Sequence, residues 1–344
     1  MQPIAEWHDV DSRVFREQVI TRYRPAVLRG AVREWPAVHA ARESPATFAG
    51  FLAGMDSGTP VDAILLPPTA RGRIAYNDAM DGFNYARNQV PLSSVLEQLS
   101  RYALFDDPPS VAVQSALVEK CLPAFASQHP MPLLEATVAP RIWLGNRVMV
   151  PAHFDESFNL ACVIAGRRRF TLFPPEQVGN LYIGPLDFAP TGAAMSVANL
   201  AEPDLARFPR ARDALAAALT AELGPGDAVF IPTLWWHQVE SLDRELNALV
   251  NYWWNGALPG GVSRTASGVD GLLHSLMNIG SLPNELRQAW SEIFRYYVFE
   301  STEERLSHIP RPQRGVLDPG AADARARARR LLIAKLQRDL TDGV

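Results

Sequence analysis

Two short motifs hold the residue types from which a metal centre can be made. His153-Phe-Asp155 sets an imidazole and a carboxylate two residues apart. On an extended strand, side chains i and i+2 share a face, so both can converge on one ion. A second imidazole is available from His237, in Leu234-Trp-Trp-His237-Gln-Val-Glu240. Two imidazoles and a carboxylate form the facial triad of non-haem Fe(II) oxygenases, which leaves coordination positions open. A His followed two residues later by an acid is weak evidence alone. With seven His and 37 acidic residues in 344, roughly one such pair arises by chance. The setting of His237 adds weight. Gly224-Pro-Gly-Asp-Ala-Val-Phe-Ile-Pro232 reads as a tight turn feeding a buried strand that Pro232 ends. The loop that follows would deliver His237 to the mouth of a barrel, a common place for ligands.

Composition narrows what such a site could serve. The 344 residues are 47% hydrophobic and 20% charged, which is ordinary for a folded chain. Lys and Arg total 33 against 37 for Asp and Glu, a net charge of −4. That balance gives no electrostatic reason to expect nucleic acid or an anionic membrane as partner. No apolar run approaches the ~18 residues of a membrane span. The first ten residues have neither the basic nor the apolar part of a secretory leader. Two cysteines, Cys121 and Cys162, make no disulfide framework. A cytoplasmic protein is expected.

The elements that must position the motifs are short strands. Val111–Gln114, Arg141–Leu144, Met149–Phe154, Asn159–Ile164, Arg168–Phe173, Ala218–Leu223, Ala228–Ile231 and Leu246–Trp253 are apolar runs cut by Gly, Asn and Pro. This pattern predicts an all-β sandwich or barrel rather than a parallel α/β sheet. Before it, Asp11–Ile20 and Pro91–Leu99 have helical spacing, Pro25–Gly30 reads as a strand and Trp35-Pro36 as a turn. After it, Pro283–Val298 and Ala321–Leu340 are amphipathic helices. The expected division is 1–110 as α/β elements flanking the barrel, 111–262 as the barrel and 263–344 as a helical segment.

The run from His153 through Asn159, Gly166 and Arg168 to Pro175 resembles the cupin-like JmjC-domain hydroxylases, the family of the asparaginyl hydroxylase that inhibits hypoxia-inducible factor. So do Gly224–Pro232, Trp235–Ser241 and Val250-Asn-Tyr-Trp253. The four blocks keep the family's order and approximate spacing over 141–256. Arg24–Gly30 and Trp35-Pro36 look like its opening strand and turn.

The resemblance implies a double-stranded β-helix that binds Fe(II) through His153, Asp155 and His237. It further implies 2-oxoglutarate as co-substrate, decarboxylated to succinate as a bound substrate is hydroxylated. Asn159 and Asn251 match the family's two asparagines near the co-substrate. The subsite for the distal carboxylate departs from the family. Arg168 stands where a lysine is usual, Val150 for a threonine or serine, and Ala112 for a tyrosine. Alternation turns Arg168 inward while Arg167 and Arg169 face out, so Arg168 meets either a ligand carboxylate or an acid such as Glu240. Two alternatives keep the fold: a non-catalytic metal-binding recognition module, and a cupin enzyme that does not use 2-oxoglutarate. The expected substrate is a peptide, a protein or a small molecule, selected by loops such as 176–210. The apolar stripes of the helical tail predict a homodimer, unless the tail caps its own barrel.

Overall fold

Strand signals separated by Gly, Asn and Pro become the eight strands of a jelly roll. In the computed structural model these are β1 (Pro140–Gly145), β2 (Met149–His153), β3 (Phe158–Ala165), β4 (Arg168–Phe173), β5 (Leu219–Leu223), β6 (Ala228–Ile231), β7 (Trp236–Ser241) and β8 (Asn247–Trp254). Residues 1–255 and 267–341 are described, in two units, Met1–Gly256 and Ala257–Val344. The boundary expected at 262/263 lies outside the described residues.

Four strands form one sheet in the order β5-β4-β7-β2, and four form the other in the order β6-β3-β8-β1. All contacts among these eight are antiparallel. Except from β4 to β5, each strand passes to the opposite sheet, which is the double-stranded β-helix of a cupin. Flanking segments widen both sheets. Gln2–Pro3 adds to β5. Ala26–Arg29 and Ala5–His8 extend the larger sheet beyond β6, and Ser110–Leu117, Val61–Leu66 and Ala86–Val90 extend it beyond β1.

The central strands of the larger sheet are buried on both faces. Ala161, Val163, Val229 and Leu249 point between the sheets, where Phe170 and Leu172 of β4 meet them. Leu160, Cys162, Ile164, Phe230 and Val250 point the other way, into a core with Phe15, Trp35, Phe48 and Leu96 of the N-terminal segments. That double burial explains why all eight residues of β3 are buried and its sequence reads as continuous rather than alternating. The outer face of the smaller sheet is covered by the long β4–β5 connection, whose Leu181, Ala198, Ala211 and Ala214 pack on Phe173 and Trp236.

Two expectations are corrected. Trp35-Pro36 is not an isolated turn. Pro36 opens a helix, Pro36–Glu43, where a proline's missing N–H is unneeded and its fixed φ suits the first turn, and Pro45–Ala53 follows at once. His237 lies on strand β7, not on a loop. The segment alternates Trp236, Gln238 and Glu240 against His237 and Val239, but its polar residues hide the strand signal. The Pro91–Leu99 helix forms as Leu92–Tyr102 with Leu92, Val95, Leu96 and Leu99 buried. The second unit contains helices Gly268–Ile279, Asn284–Phe294 and Ala322–Thr341. Among the described residues no helix is long and apolar enough to cross a membrane.

Candidate metal centre

His153 ends β2 and His237 is the second residue of β7, and the two face each other across the ladder. Their ring centroids are 4.3 Å apart. Below this pair the register slips: Val239 opposes Val150, so β2 carries one residue more than β7. The bulge spans Pro151, which has no N–H to give to a ladder. Its effect is to turn Val150 and His153, three residues apart, onto the same cavity as His237 and Val239. Asp155 lies beyond the end of β2 rather than on the strand. Its Oδ2 is 3.6 Å from His237 Nε2. One ligand atom from each of the three residues lies within 4.8 Å of the others.

The hydrogen bonds fix which atoms face an ion. His153 Nδ1 bonds the Pro151 carbonyl at 2.9 Å and His237 Nδ1 bonds the Trp235 carbonyl at 3.1 Å. A carbonyl only accepts, so each Nδ1 carries a proton, and Nε2 is the nitrogen turned toward the cluster. His237 is buried, and that desolvation, reinforced by neighbouring His153, pulls its pKa down to about 4. The ring is therefore neutral near pH 7, the form a metal requires.

Ligands and their support come from opposite sheets. Asp155 Oδ2 accepts from Trp253 Nε1 at 3.0 Å and from Asn159 Nδ2 at 3.2 Å. Asn251 donates to Asn159 Oδ1 at 3.4 Å and accepts from Trp143 Nε1 at 2.9 Å. A relay from β1 through β8 and β3 thus ends on the carboxylate and orients it. Two imidazoles and one carboxylate suit a divalent first-row metal with positions left open. Sequence reasoning singled out both asparagines but not the two indole donors. The signal was present: Asn251 and Trp253 are two residues apart on one strand.

The cavity between the sheets opens about 110 Å³ to water, where a single water needs on the order of 10–15 Å³. Arg168 lines it together with Phe170, Val239 and Leu249. Arg168 is 8% exposed, has no ion pair among the described residues, and its Nε is buried without an acceptor. Burial lowers its pKa to about 10, so it remains charged at neutral pH. The alternative of a bridge to Glu240 is not realised. Glu240 meets Arg169 at 3.3 Å, and Arg167 pairs with Asp243 at 2.7 Å. Ala112 does not line the cavity. It packs with Ile64, Leu66, Ile74 and Val148. Thr191 and Ala193 of the β4–β5 connection reach the cavity, and no spacing rule marks them.

A model of the cupin-like domain matches residues 11–258. The chain belongs to the cupin-like domain family. Its relatives within the JmjC group include a lysine-specific demethylase, JMJ31, of Arabidopsis thaliana, 40% identical over 102 residues, which is 30% of this chain and 18% of the relative. HSPB1-associated protein 1 of Homo sapiens is 38% identical over 114 residues, 33% of this chain and 22% of the relative. JmjC domain-containing protein D of Dictyostelium discoideum is 23% identical over 239 residues, 68% and 52% respectively. The match thus spans about a fifth of the first two relatives and about half of the third. The cupin-like fold and the His-Asp-His cluster together identify a candidate metal centre of JmjC type.

Proposed function

We propose that this protein is an Fe(II)- and 2-oxoglutarate-dependent oxygenase that hydroxylates a protein or peptide side chain or a small molecule. One observation carries the reading. A single cavity holds three side chains able to ligate a metal and a buried guanidinium that forms no ion pair among the described residues. A buried, unpaired charge costs several kcal/mol even after relaxation, so an entering carboxylate relieves it. The co-substrate has a chelating keto-acid end for the ligand cluster and a second carboxylate for Arg168.

Fe(II) held there, with 2-oxoglutarate and dioxygen as co-substrates, would supply the oxidation: one oxygen atom would enter succinate as 2-oxoglutarate loses CO2, and the other would hydroxylate the substrate. The chain's part is positioning. His153 and His237 present Nε2 because their Nδ1–H groups are anchored, and Trp253 and Asn159 hold Asp155. Phe170, Val239 and Leu249 make the cavity wall apolar, which strengthens the charge pairing at Arg168. The Arabidopsis relative's name supports a protein side chain as one class of substrate. Both cysteines are free thiols, which suits a reducing, cytoplasmic setting.

The test is succinate formation from 2-oxoglutarate by the full chain with added Fe(II) and no prime substrate. We expect turnover above that of the His153→Ala variant. Stoichiometric Fe(II) binding without any succinate would overturn the use of 2-oxoglutarate and leave a recognition module or another cupin reaction.

A further inference from the structure

A second concave site lies on the outer face of the smaller sheet, away from the ligand cluster. Met149, Glu240 and Arg169 are cross-strand neighbours on β2, β7 and β4 and occupy the phase opposite to Val150, Val239 and Phe170. Met149 is four residues from His153 along β2, about 13 Å at ~3.3 Å per residue. The pocket encloses about 690 Å³. Five arginines line it, Arg71, Arg73, Arg147, Arg169 and Arg244, against Glu202 and Glu240 alone. That is an excess of three positive charges in a chain whose net charge is −4.

Three observations separate this pocket from an ordinary solvated surface. First, most of its cations have no acidic partner among the described residues. Arg169 pairs with Glu222 and Glu240, while Arg73 and Arg244 donate only to the backbone carbonyls of Val197 and Asp106. Second, Arg73 Nε, one of the buried polar atoms that lack a hydrogen-bond partner among the described residues, belongs to a residue lining it. Arg73 is half-buried and desolvation lowers its pKa. Third, the loop that presents Arg71 and Arg73 is built to hold them against Arg147. Arg71 is left-handed at φ +48°, and Gly72 follows at φ +77°. A Cβ on Gly72 would stand 2.3 Å from the Arg147 carbonyl oxygen, so only glycine allows this approach. The Gly72 carbonyl then accepts from Met149 N–H at 2.9 Å, which ties the loop to β2.

We infer that this pocket binds a multiply charged phosphoryl anion, as a pyrophosphate or as the diphosphate of a small molecule. A carboxylate brings one negative charge and leaves most of the excess unmet. A diphosphate brings two to three, and its oxygens match the planar forks of several guanidiniums. The inference is independent of the reaction proposed above.

The experiment is calorimetric titration of the full chain at low ionic strength, with inorganic pyrophosphate, ADP and, as a singly charged carboxylate control, acetate as probes. Pyrophosphate should bind one per chain, and acetate at least tenfold more weakly. Arg147→Gln and Arg71→Gln, both at exposed positions that leave the core intact, should each weaken pyrophosphate about tenfold, as expected for loss of a charge-assisted pair. Fe(II) binding should be unchanged in both. ADP at least as tight as pyrophosphate assigns the site to a carried diphosphate, and weaker ADP assigns it to the free anion. The inference is overturned by no saturable binding at millimolar pyrophosphate, or by binding that survives the Arg71→Gln/Arg147→Gln double variant. Loss of binding in Arg168→Gln alone would also overturn it, because the anion would then sit in the metal cavity.

Discussion

Trp253 donates its indole N–H to Asp155 Oδ2 at 3.0 Å, joining the larger sheet to the carboxylate that belongs to the smaller one. The bond restrains a side chain that stands past the end of β2 and has no strand to hold it. Trp253→Phe keeps the ring and removes only the donor. We expect metal affinity to fall 10–100-fold, the usual cost of losing a partner that orients a ligand. Titration with Fe(II) under anaerobic conditions, or with Co(II) by absorbance, reads this directly. Unchanged affinity would mean that Asn159 alone suffices.

Removing a ligand should cost the metal and spare the fold. His153 and Asp155 are only partly buried and sit where the sheets open. His153→Ala or Asp155→Ala should abolish stoichiometric Fe(II) binding, with the ligand-free melting temperature close to that of the parent. One Fe(II) per chain at parental affinity in either variant would refute the triad.

Much of this architecture is legible in the sequence because strand ends carry breakers. Gly145-Asn146, Gly166, Gly224-Pro-Gly226 and Pro232 bound strands that the structure places within a residue or two of expectation. The exception is β7, where Gln238 and Glu240 face outward and bond each other, so polar residues outnumber Trp236 and Val239 and mask the strand signal. The convergence of His153 and His237 depends on the bulge at Pro151 and on pairing of strands far apart in the chain, which spacing rules do not reach. The same holds for Trp143 and Trp253. Their indole donors face polar partners that only the sheet register reveals.

Acid should destabilise the ligand-free protein before its carboxylates titrate. His129 is buried, donates from Nδ1 to the Phe125 carbonyl and accepts from the Ala37 N–H on Nε2. Protonation would destroy the second bond, and burial lowers its pKa. His237 is likewise held at about 4. Unfolded histidine titrates near 6.5. Below that pH the unfolded chain takes up protons that the folded chain refuses, so stability is full above about 6.5 and falls as pH drops toward the folded values. His129→Gln should lower the slope of stability against pH by up to one proton, about 1.4 kcal/mol per unit. Urea unfolding at several pH values between 7 and 5 checks it, and an unchanged slope would remove His129 from the account.

The helical unit should bring two copies together. Most large apolar side chains exposed among the described residues lie in 267–341, including Leu286, Trp290, Ile293 and Tyr297 on the helix Asn284–Phe294 and its extension. Apolar area of that extent on one unit is a liability unless a second copy, or the barrel of its own chain, covers it. Sedimentation should give a dimer at micromolar concentration, and Trp290→Glu with Ile293→Glu should give a monomer that still binds Fe(II). A monomeric parent chain would end this reading.

Arg168 offers the sharpest separation between a ligand site and a structural role. Its guanidinium is buried and charged, its neighbours Phe170 and Val239 are apolar, and the acids nearest in register are engaged by Arg167 and Arg169. If it awaits a carboxylate, it should destabilise the protein without ligand and stabilise the complex. Arg168→Met should therefore raise the ligand-free melting temperature, because a buried charge without a partner is replaced by a side chain of similar length and no desolvation cost. The same variant should raise the apparent 2-oxoglutarate constant at least tenfold, since a charge-assisted pair contributes about 1.5–3 kcal/mol. Fe(II) binding, which uses none of these atoms, should stay intact. A structural arginine behaves in the opposite way: its loss lowers the melting temperature and leaves the 2-oxoglutarate constant where it was. Thermal melts and co-substrate titration on one variant therefore decide the matter together.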